Sequence, residues 1–88
     1  MTYYVVGTPG VLSPWQQRVV DEKTELDGKL ERLQQMLAKS EYEATLDGGR
    51  YRIEGDILYS VEEHFRLSRQ ADHMRAYSDV LAERIVAF

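Results

Sequence analysis

The chain has 88 residues, no cysteine and a net charge of −4. A chain this short buries a limited core, and small folds draw on disulfides, metals or partner chains for support. Lack of cysteine excludes disulfides and thiolate metal sites, fits a reducing cytoplasm, and leaves oligomerisation as the expected support. The acidic balance argues against a protein that coats nucleic-acid polymers.

The whole chain, 1–88, reads as a single domain. Residues 2–6 (TYYVV) are aromatic and β-branched and are closed by Gly7, Pro9 and Gly10, which predicts a short strand and turn over 1–12. Residues 1–10 have neither the cationic start nor the apolar run of a signal peptide. A first helix is predicted over 14–39. Ser13 is a good N-cap, Pro14 suits the first helical position, and Gln16 completes a capping box. Val19, Leu26, Leu30, Leu33 and Leu37 then recur at helical spacing. Lys23 intrudes on this stripe, either snorkelling to water or facing a ligand or a neighbouring chain. Gly28 stands mid-helix, as a tolerated surface glycine or as a point of close approach by another chain.

Residues 40–59 form a connector. Within it, Asp47-Gly48-Gly49 is a turn signal and residues 50–53 (RYRI) read as a strand that pairs with 2–6 or with a neighbouring chain. A second helix is predicted over 60–88, opened by Ser60 and Glu63 as a capping box. Its stripe is Leu67, Met74, Tyr77, Leu81, Ile85 and Phe88, with Gln70 and Arg84 on the same line. Two helices of matched length are expected to lie antiparallel. Val20, Met36, Val80 and Val86 are left for other surfaces, which favours a multimer. No segment has the run of about 18 apolar residues that a membrane helix needs.

Catalytic patterns are missing, so the chain reads as a non-enzyme. His64 and His73 are nine residues apart, about 13 Å along a helix, too far to share a metal, and each reads as a surface histidine. No serine stands in a nucleophile-elbow context. Glu62 and Glu63 point to different faces and form no acid–base pair. Gly48-Gly49 lacks the strand and lysine of a phosphate loop. No metal or cofactor is expected. Binding patterns are better. Arg66, Arg69 and His73 follow one helix edge at spacings of three and four, beside Tyr77 and near Arg75. Such a strip holds phosphates and stacks on a base, or is an ordinary solvated face. Trp15 opens the first helix as a packing anchor or a stacking platform.

Two stretches, QQRVVDEKTELDGKLERL at 16–33 and LSRQADHMRAYSDVLAERI at 67–85, resemble small phage proteins that share a helical hairpin with anti-CBASS and anti-Thoeris proteins. Arg-Val-x-Asp-Glu-Lys and Tyr-x-x-Val-Leu-x-x-Arg-Ile are held in order, and the resemblance spans 14–88. It implies a non-catalytic protein of the bacterial host's cytoplasm that sequesters a cyclic nucleotide immune signal: a cyclic di- or trinucleotide, or a cyclic ADP-ribose isomer. It also implies a homo-oligomer, often a hexamer, with ligand bound where chains meet. One site class in the family uses an aromatic near the start of the first helix and a lysine further along. Trp15 and Lys29 match here, with Lys23 as a rival. Another class uses an arginine on the second helix, for which Arg66 or Arg69 serves. The sequence departs from the pattern in its N-terminal strand and in the Gly-Gly-Arg-Tyr-Arg insert, although anti-Thoeris relatives carry an N-terminal β region.

The expected fold is therefore mainly α: a long antiparallel helical hairpin with a small β element, oligomeric. The expected ligand-binding set is Arg66, Arg69, His73, Tyr77, Trp15, Lys23 and Lys29. The rival reading is a non-catalytic interaction or structural adaptor of phage or prophage origin.

Overall fold

A computed structural model describes residues 11–53 and 57–88. In chain order the elements are α1 (Pro14–Lys39), β1 (Glu41–Thr45), β2 (Gly48–Ile53), β3 (Ile57–Ser60) and α2 (Val61–Val86). Each helix has 26 residues, so each runs about 39 Å.

Both helix starts follow from their caps. Ser13 is extended, Pro14 supplies a fixed φ, and Gln16 Oε1 accepts the Ser13 backbone N–H at 3.0 Å. At α2, Ser60 Oγ accepts the Glu63 backbone N–H at 3.0 Å. Glu62 and Glu63 in the first turn and Arg84 in the last complement the helix dipole. α1 ends at Ser40, whose hydroxyl donates to the Leu37 carbonyl at 2.7 Å.

The connector is an antiparallel meander in the order β1-β2-β3. Leu46 and Asp47 form the tight turn between paired Thr45 and Gly48. Gly48 has φ +126°, a region that L side chains rarely enter. Tyr42, Tyr51 and Tyr59 are direct cross-strand partners and line one face. His64, from the first turns of α2, lies flat on Tyr51 with ring centroids 3.6 Å apart and planes 6° apart. Its Nδ1 shares a 2.9 Å hydrogen bond with the Tyr59 hydroxyl. This stack ties the sheet to α2 and leaves His64 half-buried, not on the open surface as expected. On the other face Glu43 sits between Arg52, at 3.1 Å, and Arg50, at 3.6 Å. Hydrogen bonding to Arg52 leads the effects that hold the Glu43 carboxyl below the ordinary glutamate range. The strand expected at 50–53 is thus the central one. Both its edges are taken by β1 and β3, so the pairing expected with 2–6 gives way to these partners; residues 2–6 themselves lie outside the described residues.

Between the helices the buried side chains are Val19 and Leu30 from α1 and Ala71, Ser78 and Leu81 from α2. Ala71 and Ser78 are small and seven residues apart, so α1 approaches closely along this line. The expected α2 stripe is therefore rotated. Leu67, Met74 and Ile85 are half-buried, while Gln70 and Tyr77 move to an exposed flank. Val80 and Val86 are exposed as well. At the helix contact Asp27 accepts the Ser78 hydroxyl from α2 and the Lys23 ammonium from its own helix. Those two hydrogen bonds, Lys23 first, hold the Asp27 carboxyl below the ordinary aspartate range.

A Cβ at Gly28 would meet only Arg32 Nη1, at an ordinary 3.5 Å. Gly28→Ala should raise stability by about 0.5–1 kcal/mol in urea unfolding, because alanine loses less backbone entropy; destabilisation would reveal a second surface packed on Gly28. Asp27 gives a pH dependence of fixed sign. Its folded pKa is depressed, so its contribution is complete above the unfolded value of about 3.9 and disappears as pH falls below that. Melting temperatures of wild type should fall more steeply in this acid range than those of Asp27→Asn. Parallel curves would show that the carboxylate adds nothing.

Candidate functional site

Four of the expected residues lie along one exposed flank of α2. Arg66, Arg69, His73 and Tyr77 line one open groove of about 590 Å³, with Gln70 and Met74. The groove runs about 16 Å along α2 from Arg66 to Tyr77. Met74 is half-buried and forms its floor. Gln70 Nε2 donates weakly to the Met74 sulfur at 3.8 Å. All the lining residues come from one helix, so the groove is a trough open on its outer side.

The cations are not equivalent. Arg66 Nε donates to Glu63 Oε1 at 2.8 Å in an exposed ion pair. Glu63 thus turns its side chain to Arg66 while its backbone N–H serves the helix cap. Arg69 is exposed and has no ion-pair partner among the described residues. His73 is exposed as expected. The Tyr77 hydroxyl donates to Glu22 Oε2 on α1. That hydrogen bond, then burial, then the Glu22 charge push the phenol above its ordinary pKa, with Arg84 pulling it down.

The other three expected residues lie elsewhere. Trp15 is half-exposed at the start of α1, edge-on to Phe88 at 5.2 Å. It shares a second hollow, of about 440 Å³, with Gln16, Arg84, Ala87 and Phe88. Lys29 is exposed. Trp15, Glu22 and Lys29 are spaced by seven, so they share one side of α1 to within about 20° per step. Glu22 reaches Tyr77 from that side, which puts Trp15 and Lys29 on the strip's side of the hairpin. Lys23 is about 100° away around α1, half-buried and bound to Asp27. Its ammonium is held by Asp27, four residues on in the same helix.

Glu22, Glu63, Gln70 and Met74 were not expected at the site. Glu63 had a local signal, three residues before Arg66. Gln70 and Met74 were visible only as stripe positions. Glu22 and Tyr77 are 55 residues apart, and nothing local announces their contact. Among the described residues no group of three or more His, Asp or Glu could hold a metal, and no helix is long and apolar enough to cross a membrane.

Fold and groove together define a class: a small helical hairpin capped by a three-stranded sheet, with a cationic and aromatic trough on its second helix. The chain belongs to the Sequestin family, whose model matches residues 13–87. No curated protein and no solved structure matches it.

The unequal state of the arginines has a measurable consequence. Titrated with inorganic pyrophosphate and followed by amide NMR, resonances around Arg69 and His73 should move while the Trp15 indole stays still. Arg69→Ala should weaken that binding by about tenfold or more, the scale of a charge-assisted hydrogen bond. Arg66→Ala should weaken it less, since Arg66 must first leave Glu63. Equal losses would mean that the Glu63 pair does not hold in solution.

Proposed function

We propose that this protein binds and sequesters a cyclic nucleotide immune signal without cleaving it, as the phage anti-CBASS and anti-Thoeris proteins it resembles do, in the cytoplasm of a bacterial host. The observation that carries this reading is the trough: Arg69, Arg66 and His73 for phosphates and Tyr77 for a base, along one edge of α2. The family name, Sequestin, points the same way, to a protein that holds a ligand and does not transform it. Sequestration needs no acid, base or metal. It needs charge-assisted bonds to phosphate, a ring to stack on and slow release.

A trough on one helix is too open to release a ligand slowly. The reading therefore includes a homo-oligomer in which a second copy covers the groove, with the exposed Val80 beside it. Closure would remove water and strengthen each ionic contact. The resemblance to the phage sponge proteins implies a hexamer. Ligand candidates remain cyclic di- and trinucleotides and cyclic ADP-ribose isomers.

One observation favours a second reading, an interaction or structural adaptor of phage or prophage origin. Leu46, Ile57, Leu58 and Phe65 are exposed large apolar residues in and beside the sheet, and such residues mark docking surfaces when contiguous.

Thermal shift against a panel of these nucleotides separates the two. A ligand that binds only the folded state at a hundred times its Kd adds about 2.7 kcal/mol. At least one cyclic nucleotide should stabilise the protein and be recovered intact after denaturation, and light scattering should give a multimer. Arg66→Ala with Arg69→Ala should abolish the shift and leave the unliganded melting temperature near that of wild type, since both side chains are exposed. Indifference to every nucleotide would favour the adaptor, and a hydrolysed product in proportion to protein would make the chain an enzyme.

A further inference from the structure

Tyr77 supplies the phenol ring of the trough, and its hydroxyl is already engaged. It donates to Glu22 on the opposite helix, across the hairpin. A tyrosine side chain has two torsions, and tethering its far end restricts both. Without the tether, an exposed ring would sample several rotamers and lose that freedom on binding.

We propose that Glu22 is a positioning residue: it holds the Tyr77 ring as a preformed stacking platform and sets the direction in which a nucleotide lies in the trough. This rests on the nucleotide-binding reading above. The direction follows from charge. Glu22 puts a carboxylate against the Tyr77 hydroxyl and so repels phosphate there; Arg84, the cation that also acts on this phenol, lies seven residues further along α2, outside the trough's lining. His73 lies one turn away, about 6 Å, and Arg69 two turns away, about 12 Å. A nucleotide therefore places its base on Tyr77 and its phosphates towards His73 and Arg69, with the sugar spanning the turn between. The raised phenol pKa is consistent with a hydroxyl that stays protonated and donating through neutral pH.

Glu22 also explains why an acidic residue borders a cationic site. As a phosphate site alone, the strip would be better without it. As a site for a base joined to phosphate, it gains an orienting charge and a fixed ring. Immobilising one flexible side chain beforehand is worth about two- to tenfold in affinity.

The test uses the full chain and two probes: the cyclic nucleotide that stabilises wild type most in the panel, and inorganic pyrophosphate as a phosphate-only control. Calorimetry is run on wild type, Glu22→Ala, Tyr77→Phe, their double variant and Glu22→Gln. Each single change to Ala or Phe should lower nucleotide affinity about two- to tenfold, and the double variant should be no worse than the weaker single, because both remove one hydrogen bond. Glu22→Gln, which can still accept from the hydroxyl, should recover most of the loss. Pyrophosphate affinity should not fall in any of them. That split separates positioning from a general loss of stability, which would weaken both probes alike.

Wild-type nucleotide affinity in both Glu22→Ala and Tyr77→Phe would overturn the positioning role and leave the nucleotide reading intact. Additive losses would overturn it too, because the hydroxyl would then be contacting ligand independently of Glu22. If no nucleotide binds wild type, the parent reading fails and this one with it.

Discussion

The close contact of the two helices along Ala71, Ser78 and Leu81 governs the rest of the molecule. Leu81 is fully buried, and the two small residues let α1 come near. Once that line faces α1, every other residue of α2 has its direction fixed by the helical period. Arg66, Arg69, His73 and Tyr77 fall to one flank, and Asp72 and Arg75 fall away from it. The site is a by-product of how the hairpin closes. Asp27 helps to fix that closure, since its carboxylate joins Ser78 and Lys23 at the contact. A slip of α2 would cost this carboxylate its Ser78 partner, while Lys23, on the same helix, would stay with it.

The sheet does a different job. It turns the chain through the end of the hairpin and clamps the start of α2. Tyr51 and Tyr59 hold His64 by stacking and by hydrogen bond, while the opposite face is ionic, with Glu43 between two arginines. One aromatic face and one charged face suit a small sheet that packs on one side only. The clamp lies just before Arg66 in the chain, so it steadies the end of the trough where the arginines stand.

The trough brings two arginines, an imidazole and a phenol together along one helix flank. Arg69 offers a planar donor fork, His73 a ring that also donates, and Tyr77 a ring with its hydroxyl occupied. Acidic neighbours temper it at both ends, with Glu63 on Arg66 and Glu22 on Tyr77. Under the proposed function, such tempering would lower non-selective attraction for anions and reward a ligand that carries a flat ring along with its phosphates. The trough has walls from one helix only, and its completion by a second copy belongs to the proposed function.

Much of this was legible in the residues themselves. Caps at Ser13 and Ser60 and the apolar periods of both helices are local signals, because they depend on backbone hydrogen bonds and φ values within a few residues; the turn signal at Asp47-Gly48-Gly49 is local too, although the turn forms one residue earlier, at Leu46 and Asp47. The strip of Arg66, Arg69, His73 and Tyr77 is also local, being a single edge of one helix, and so its members stayed together in three dimensions. What depended on distant partners was not legible. Ala71 and Ser78 replaced Gln70 and Tyr77 at the centre of the contact because packing selects the line along which backbones approach most closely, and hydrophobicity alone does not reveal it. His64 left the surface because Tyr51 and Tyr59 were waiting across the sheet. Lys23 does not line the trough and pairs with Asp27, a local contact four residues on in the same helix. Trp15 and Lys29 share the strip's side of the hairpin, yet neither lines the trough. Period and capping, short-range effects, were set by the sequence alone; rotation of the helix and the pairing of charges across 55 residues were decided only when the two helices met.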